Sequence, residues 1–332
     1  MYRKILIPLD GSSLAERVLA HVEQMFPPKK VEIYLLRVVT LYGYRDVLRP
    51  DMVAELAPPA LDVDKLYEEA REYLRQKKGE LREMGYTVYT HVTAGDVAAT
   101  ICEFADAQDV DLIAMTTHGY SGLTRWLIGS VADRVVRSAE RPVLLVRPSM
   151  ETPKETELRQ ILAPLDGSEL AEQALPHALA LAKENNASIL LVQAILPLEE
   201  LVLYMPLGAP EFLSDISIEE LKQQAEKYLR QVQARLQEEG VTSEIVVVEG
   251  RPADVIIDVA EREGVGLIVM STHGRSGLGR WVFGSVADKV LHSASRPLLL
   301  VRGAAGRGGQ APGEGSGEGS EEEKPQEGKP QA

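Results

Sequence analysis

Three short constellations carry residue types suited to capturing a phosphorylated ligand, and each occurs twice. Pro8-Leu9-Asp10-Gly11-Ser12 follows an apolar run, and Pro164-Leu165-Asp166-Gly167-Ser168 repeats it. Thr116-Thr117-His118-Gly119 follows another apolar run and is matched by Ser271-Thr272-His273-Gly274. Gly129-Ser130 and Gly284-Ser285 stand where helices are expected to begin.

A helix N-terminus presents unpaired N–H groups and a partial positive charge to an anion. Glycine there removes the Cβ that would hold an oxyanion away, and serine adds a hydroxyl donor. Gly119 and Gly122, with Gly274 and Gly277 in the second copy, can make the preceding loop concave. The carboxylates of Asp10 and Asp166 have the wrong charge for phosphate. They suit ribose hydroxyls, or a metal ion on a triphosphate. Asp10, Ser12 and Ser13 also fit a plain helix cap. No nucleophile stands near His118 or His273 in sequence, so both read as loop histidines contacting ligand or backbone rather than as general bases. Trp126 and Trp281 read as packing residues, while Arg125 and Arg280 fit a phosphate contact or a solvated surface equally well.

These residues need a scaffold that delivers strand ends beside helix starts. In the first half, Lys4 to Leu9 reads as a strand stopped by Asp10-Gly11. Ser13-Leu14-Ala15-Glu16 fits a capping box that opens a helix to about Met25. Val31 to Val39 is a continuous apolar run suited to a buried parallel strand. Asp64 to Met84 is a charged amphipathic helix closed by Gly85. Tyr86 to Val92 is a strand, Gly95-Asp96 opens a helix through Ala107, and Asp111 to Thr117 is a strand. Gly129-Ser130 opens a helix to Ser138, and Pro142 to Val146 is the last strand. Strands alternating with helices, each strand apolar on both faces, predict an α/β fold with a doubly wound parallel sheet. Ligands of such sheets collect at the carboxyl ends of the strands, where the strand order reverses.

The second half repeats this order. Residues 118–147 and 273–302 are identical at 21 of 30 positions with a shift of 155, and Lys4 to Ser12 matches Gln160 to Ser168 with a shift of 156. A period that long is a whole domain, so the chain is a duplication, with domains at 1–148 and 159–302. Residues 148–158 read as the linker. Residues 40–63 and 196–217 are apolar, proline-containing insertions suited to lids or interdomain contacts. Residues 303–332 are rich in Gly, Glu, Pro, Ser and Gln and cannot bury a core, so this acidic tail is expected to be disordered.

The chain of 332 residues has a formal net charge of −14, which argues against nucleic acid as a partner. No apolar run reaches the ~18 residues of a membrane span, and the N-terminal stretch lacks a signal-peptide pattern. The expected location is cytoplasmic. Cys102, the single cysteine, lies in an apolar helical stretch and reads as an inert thiol. No Walker-type lysine or paired carboxylates mark a turnover chemistry, so no catalytic residue is assigned.

At these residues the chain resembles the universal stress protein family, in its tandem two-domain form. Nucleotide-binding members carry the pattern G-2x-G-9x-G-[S/T]. Gly119, nine residues, then Gly129-Ser130 fits its second part, and Gly274 with Gly284-Ser285 fits it again. The pattern's first glycine is replaced by Thr116 and Ser271. The resemblance implies ATP as the ligand, with or without Mg²⁺. It implies sites built from Pro8, Leu9, Asp10, Val38, Met115, Thr116, His118, Gly119, Gly122, Gly129, Ser130 and Val131. In the second half the set is Pro164, Leu165, Asp166, Ala194, Met270, Ser271, His273, Gly274, Gly277, Gly284, Ser285 and Val286. Ala194 in place of Val38 predicts that the two adenine pockets differ. The resemblance further implies two five-stranded parallel sheets of order 3-2-1-4-5 with helices on both faces. Their last strands, Arg141 to Arg147 and Arg296 to Arg302, would pair the domains within one chain, and whole chains could form a homodimer. The implied function is a nucleotide-dependent stress-response switch or sensor. A slow ATPase and a nucleotide-free interaction module are the alternatives.

Overall fold

A computed structural model describes residues 2–40, 63–117, 128–147, 158–201, 217–272 and 283–302. The linker 148–157, most of both insertions and the tail lie outside these residues. So do His118, Gly119, Gly122, Arg125, Trp126, His273, Gly274, Gly277, Arg280 and Trp281.

The first half runs β1 (Lys4–Pro8), α1 (Ser13–Met25), β2 (Glu32–Val39), α2 (Val63–Glu83), β3 (Thr87–Ala94), α3 (Val97–Ala107), β4 (Leu112–Thr116), α4 (Ser130–Ser138) and β5 (Val143–Val146). The second runs β6 (Gln160–Pro164), α5 (Glu169–Glu172), α6 (Leu175–Asn185), β7 (Ser188–Ile195), α7 (Leu198–Leu201), α8 (Ile218–Glu238), β8 (Ser243–Glu249), α9 (Pro252–Arg262), β9 (Leu267–Ser271), α10 (Ser285–Ser293) and β10 (Leu298–Val301). Each half has the order 3-2-1-4-5 with all strands parallel. The halves join through β5 and β10, which pair antiparallel with Leu299 opposite Leu144, so one sheet of ten strands runs β3-β2-β1-β4-β5-β10-β9-β6-β7-β8.

Local chemistry accounts for these elements. In α1 the apolar residues Ala15, Val18, Leu19, Val22 and Met25 recur at helical spacing, and all are buried against the sheet. The cap of α1 is Ser12 rather than Ser13. Its hydroxyl accepts from the Ala15 amide at 3.1 Å, because the turn at Asp10-Gly11 ends one residue earlier than the capping-box reading requires. Gly11 has φ +82°, a left-handed conformation that a side chain disfavours, and Gly167 has the same value. Asp96 caps α3 through the Ala99 amide, and Gly85 closes α2 at φ +95°.

Three readings need correction. The second half does not copy α1 as one helix. Pro176 lacks an N–H and conflicts with the carbonyl four residues back at Glu172, where α5 ends, so the helix restarts as α6. Leu158, read as linker, is buried in the core, and a Cβ on Gly266 would lie 2.6 Å from its Cδ1. Not every strand is apolar on both faces. The central strands β4, β5, β9 and β10 are buried throughout, but β3 and β8 are sheet edges with largely exposed or half-buried residues.

Each face of the sheet carries its own core. Residues of α1, α2, α5, α6 and α8 cover one face, and those of α3, α4, α9 and α10 cover the other. Both cores run across the β5–β10 junction, with Leu144 and Leu299 in the first and Leu145, Leu298 and Leu300 in the second. No helix among the described residues is long and apolar enough to cross a membrane.

Candidate functional site

The strand order reverses between β1 and β4 and again between β6 and β9. The crevice between the carboxyl ends of such a pair is where this architecture leaves room for a ligand. In the second half that crevice opens into a cleft of about 800 Å³. Pro164, Leu165 and Asp166 line it from the end of β6, and Ala194 from β7. Met270 and Ser271 close it from β9, and Gly284, Ser285 and Val286 from the start of α10. Every described residue in the site set that the resemblance implies for this half therefore borders one cavity, while Ser168 of the Asp–Gly–Ser turn does not.

The turn after β6 is built to hold a carboxylate still. Asp166 Oδ1 accepts from the Ser168 amide at 3.0 Å and from its hydroxyl at 2.6 Å, while that hydroxyl accepts from the Ala171 amide at 3.1 Å. Asp10 and Ser12 reproduce this at 2.9, 2.6 and 3.1 Å. The aspartate is thereby oriented by its own turn, and the capping work falls to the serine.

The helix-start side of the cleft is built differently. The first turn of α10 begins at Gly284, which makes no side-chain cap, and α4 begins the same way at Gly129. Ser12 and Ser168 cap α1 and α5 with hydroxyls, whereas the amides opening α4 and α10 have no capping side chain to compete with an anion. The Gly284 amide donates to the Thr272 carbonyl at 2.9 Å, and Gly129 to Thr117 at 2.7 Å, which fixes each helix start against the end of β9 or β4. Thr116, Thr117, Ser271 and Thr272 are all buried.

Sequence reasoning missed the wall supplied by α8. Leu221, Gln224, Ala225 and Tyr228 line the cleft, with Gln193 of β7 and Ile256 of α9. The Tyr228 hydroxyl donates to Glu172 at 2.8 Å, and burial together with that bond pushes the phenol well above its usual range. Tyr73 and Glu16 make the same contact at 2.9 Å in the first half. The signal was present as a Tyr–Glu pair recurring at the repeat spacing, but these residues lie far apart in sequence and match no short motif. Thr272, named in the sequence only as part of its turn and absent from the site set that the resemblance implies, also lines the cleft.

The first half sets Pro8, Leu9 and Asp10, Val38, Met115 and Thr116, and Gly129, Ser130 and Val131 at the matching ends of β1, β2, β4 and α4. One position differs in kind. Arg37 stands where β7 has Gln193, and its Nη1 lies 3.4 Å from the Leu9 carbonyl. Among the described residues no cluster of three or more His, Cys, Asp or Glu side chains could hold a metal ion. Cys102 is half-buried, and burial pushes its thiol up to about 11, away from the thiolate form.

A doubly wound sheet with an uncapped helix start and an oriented carboxylate at its switch point defines a class of α/β domain with a ligand-sized crevice at the strand ends, present here in duplicate. The family model described as the universal stress protein family matches residues 1–147 and 157–302, and the chain belongs to that family. It is 34% identical over 150 residues to the universal stress protein MJ0531 of Methanocaldococcus jannaschii, covering 44% of this chain and 83% of that one. It is 33% identical over 158 residues to MJ0577 of the same organism, covering 44% of this chain and 96% of that one. The crystal structure of a universal stress protein from Archaeoglobus fulgidus superposes with a TM-score of 0.65 at 19% identity, over 90% of this chain and 98% of that one. At that identity the likeness speaks for the fold.

Proposed function

We propose that this chain is an ATP-binding universal stress protein whose two sites act as nucleotide-dependent switches rather than as a metabolic enzyme. The observation that carries the reading is the convergence in the second half. A single cleft brings Asp166, Ala194 and Ser271 together with Gly284 and Ser285 at the uncapped start of α10. The carboxylate suits ribose hydroxyls, the α10 amides and the Ser285 hydroxyl suit phosphate, and Ala194, Ile256 and Met270 offer an apolar wall to a base. Mg²⁺ would enter with the triphosphate. The β1–β4 crevice, carrying the same Asp–Gly–Ser turn and Gly–Ser helix start, is the second site.

The test is mass spectrometry of whatever small molecule co-purifies with the full chain, joined to calorimetric titration with ATP. Bound adenine nucleotide, or ATP affinity well below millimolar, supports the reading. Empty protein with no affinity below about millimolar overturns it.

A further inference from the structure

The two repeats agree closely at the turn, the helix start and the Tyr–Glu pair, yet they differ where β2 and β7 approach the site. Two residues before the end of β2 stands Arg37, and the matching residue of β7 is Gln193. The Arg37 guanidinium lies on the turn that carries Asp10. Its Nη1, Cζ and Nη2 are 3.5–3.6 Å from where a Cβ on Gly11 would be, and Nη1 faces the Leu9 carbonyl at 3.4 Å. Gln193 lines the second cleft beside Asp166 and Tyr228, and its Oε1 is buried without a hydrogen-bond partner among the described residues.

One place in the fold therefore offers different charge and different acceptor capacity in the two halves. The first copy supplies a fixed cation with donors only, since a guanidinium cannot accept. The second supplies a neutral amide that can both donate and accept, and its carbonyl oxygen, costly to leave unpaired, can take a ligand hydroxyl once the side chain turns into the cleft. We infer that Arg37 and Gln193 make the two sites select ligands differently. The first site reads the charge of a nucleoside polyphosphate, and the second reads the hydroxyls of the sugar and tolerates a ligand of low charge. This rests on the nucleotide reading above and deepens it. An added cation within a Debye length of a polyanion favours binding most at low salt, and it does nothing for an uncharged nucleoside.

The experiment is calorimetric titration of the full chain with ATP and with adenosine, at low and high salt, for wild type, Arg37→Gln, Arg37→Lys and Gln193→Arg. Wild type is expected to show two classes of ATP site separated by about tenfold at low salt, with the gap narrowing as salt rises. Arg37→Gln should weaken the tighter class about tenfold while adenosine binding stays within about twofold, and Arg37→Lys should keep most of the preference. Gln193→Arg should tighten the weaker ATP class and weaken adenosine there. Two equal ATP sites insensitive to Arg37→Gln would overturn this inference and leave the nucleotide reading standing. Equal weakening of ATP and adenosine by Arg37→Gln would also overturn it, because charge would not be what is read. Failure of both ligands to bind any form would overturn the nucleotide reading as well.

Discussion

The Tyr2 hydroxyl lies 2.6 Å from Nδ1 of His177, a contact that ties β1's approach in one half to α6 of the other. Tyr2 also packs edge-on to Phe26 with ring centroids 5.6 Å apart. His177 and His21 occupy the same place in the two repeats, but the place of Tyr2 is taken in the second repeat by Leu158, which has no hydroxyl. His21 Nδ1 is accordingly buried without a partner among the described residues.

These two histidines predict acid sensitivity. Burial lowers each to about 4, below the ordinary value of 6.5, so the folded state favours the neutral ring. The sign follows from linkage. Their contribution is complete above about pH 6.5 and is lost as pH falls toward 4, because the unfolded chain takes up protons first. Between pH 7.5 and pH 5 the loss is about 1–2 kcal/mol per histidine, less for the half-buried His177 than for His21. Urea unfolding at the two pH values measures it, and His21→Leu should flatten the profile.

The partner difference predicts opposite effects of similar substitutions. His177→Leu leaves the buried Tyr2 hydroxyl unpaired and should cost about 1–3 kcal/mol at neutral pH. His21→Leu removes an orphaned nitrogen and should be neutral or stabilising. Thermal denaturation of the two variants side by side decides the matter, and equal losses would contradict it.

At the junction, apolar packing outweighs ion pairs. Leu299→Ala or Leu144→Ala removes a side chain only 1% exposed where β5 meets β10, and each should cost about 2–5 kcal/mol. Arg137 bridges Asp133 and Asp288, the same position in the two repeats, at 2.9 Å each, but all three side chains are well exposed. Arg137→Ala should therefore cost under about 1 kcal/mol and lose even that in high salt. Melting curves at two salt concentrations separate these cases.

Ala194→Phe fills the apolar side of the second cleft. Binding there should fall by at least about tenfold, with little change in thermal stability because the residue is half-buried and faces the cavity. The first site, where Val38 occupies the equivalent place, should be unaffected. Nucleotide titration that resolves two sites reads both outcomes.

Much of the architecture was legible in the residues. The starts of α3 and α4 follow from the Gly-Asp and Gly-Ser signals, and that of α1 from Asp-Gly to within one residue, and the duplication is plain in the repeated segment before β5 and β10. The helix-start side of the cleft was also legible, because Gly284 and Ser285 are neighbours in sequence as well as in space. The α8 wall was not. Tyr228 and Gln193 reach the cleft only because a long amphipathic helix and a parallel strand converge there, a tertiary arrangement that no local spacing encodes. The break at Pro176 was written in the sequence, but similarity to the unbroken first repeat obscured it. Leu158 looked like linker because its neighbours are polar, and only its docking beside Gly266 reveals it as core.

The antiparallel union of β5 and β10 has a consequence for how the molecule can be used. Within each half every strand runs the same way, so the carboxyl ends mark one rim of the sheet. Reversal at the seam sends the other half's carboxyl ends to the far rim. The carboxyl-end crevices of the two halves consequently lie at opposite rims, and no small ligand can touch both. Influence between them has to pass along the strands or through the shared cores. If each crevice holds a ligand, anything that reads its occupancy has to approach from that crevice's own rim.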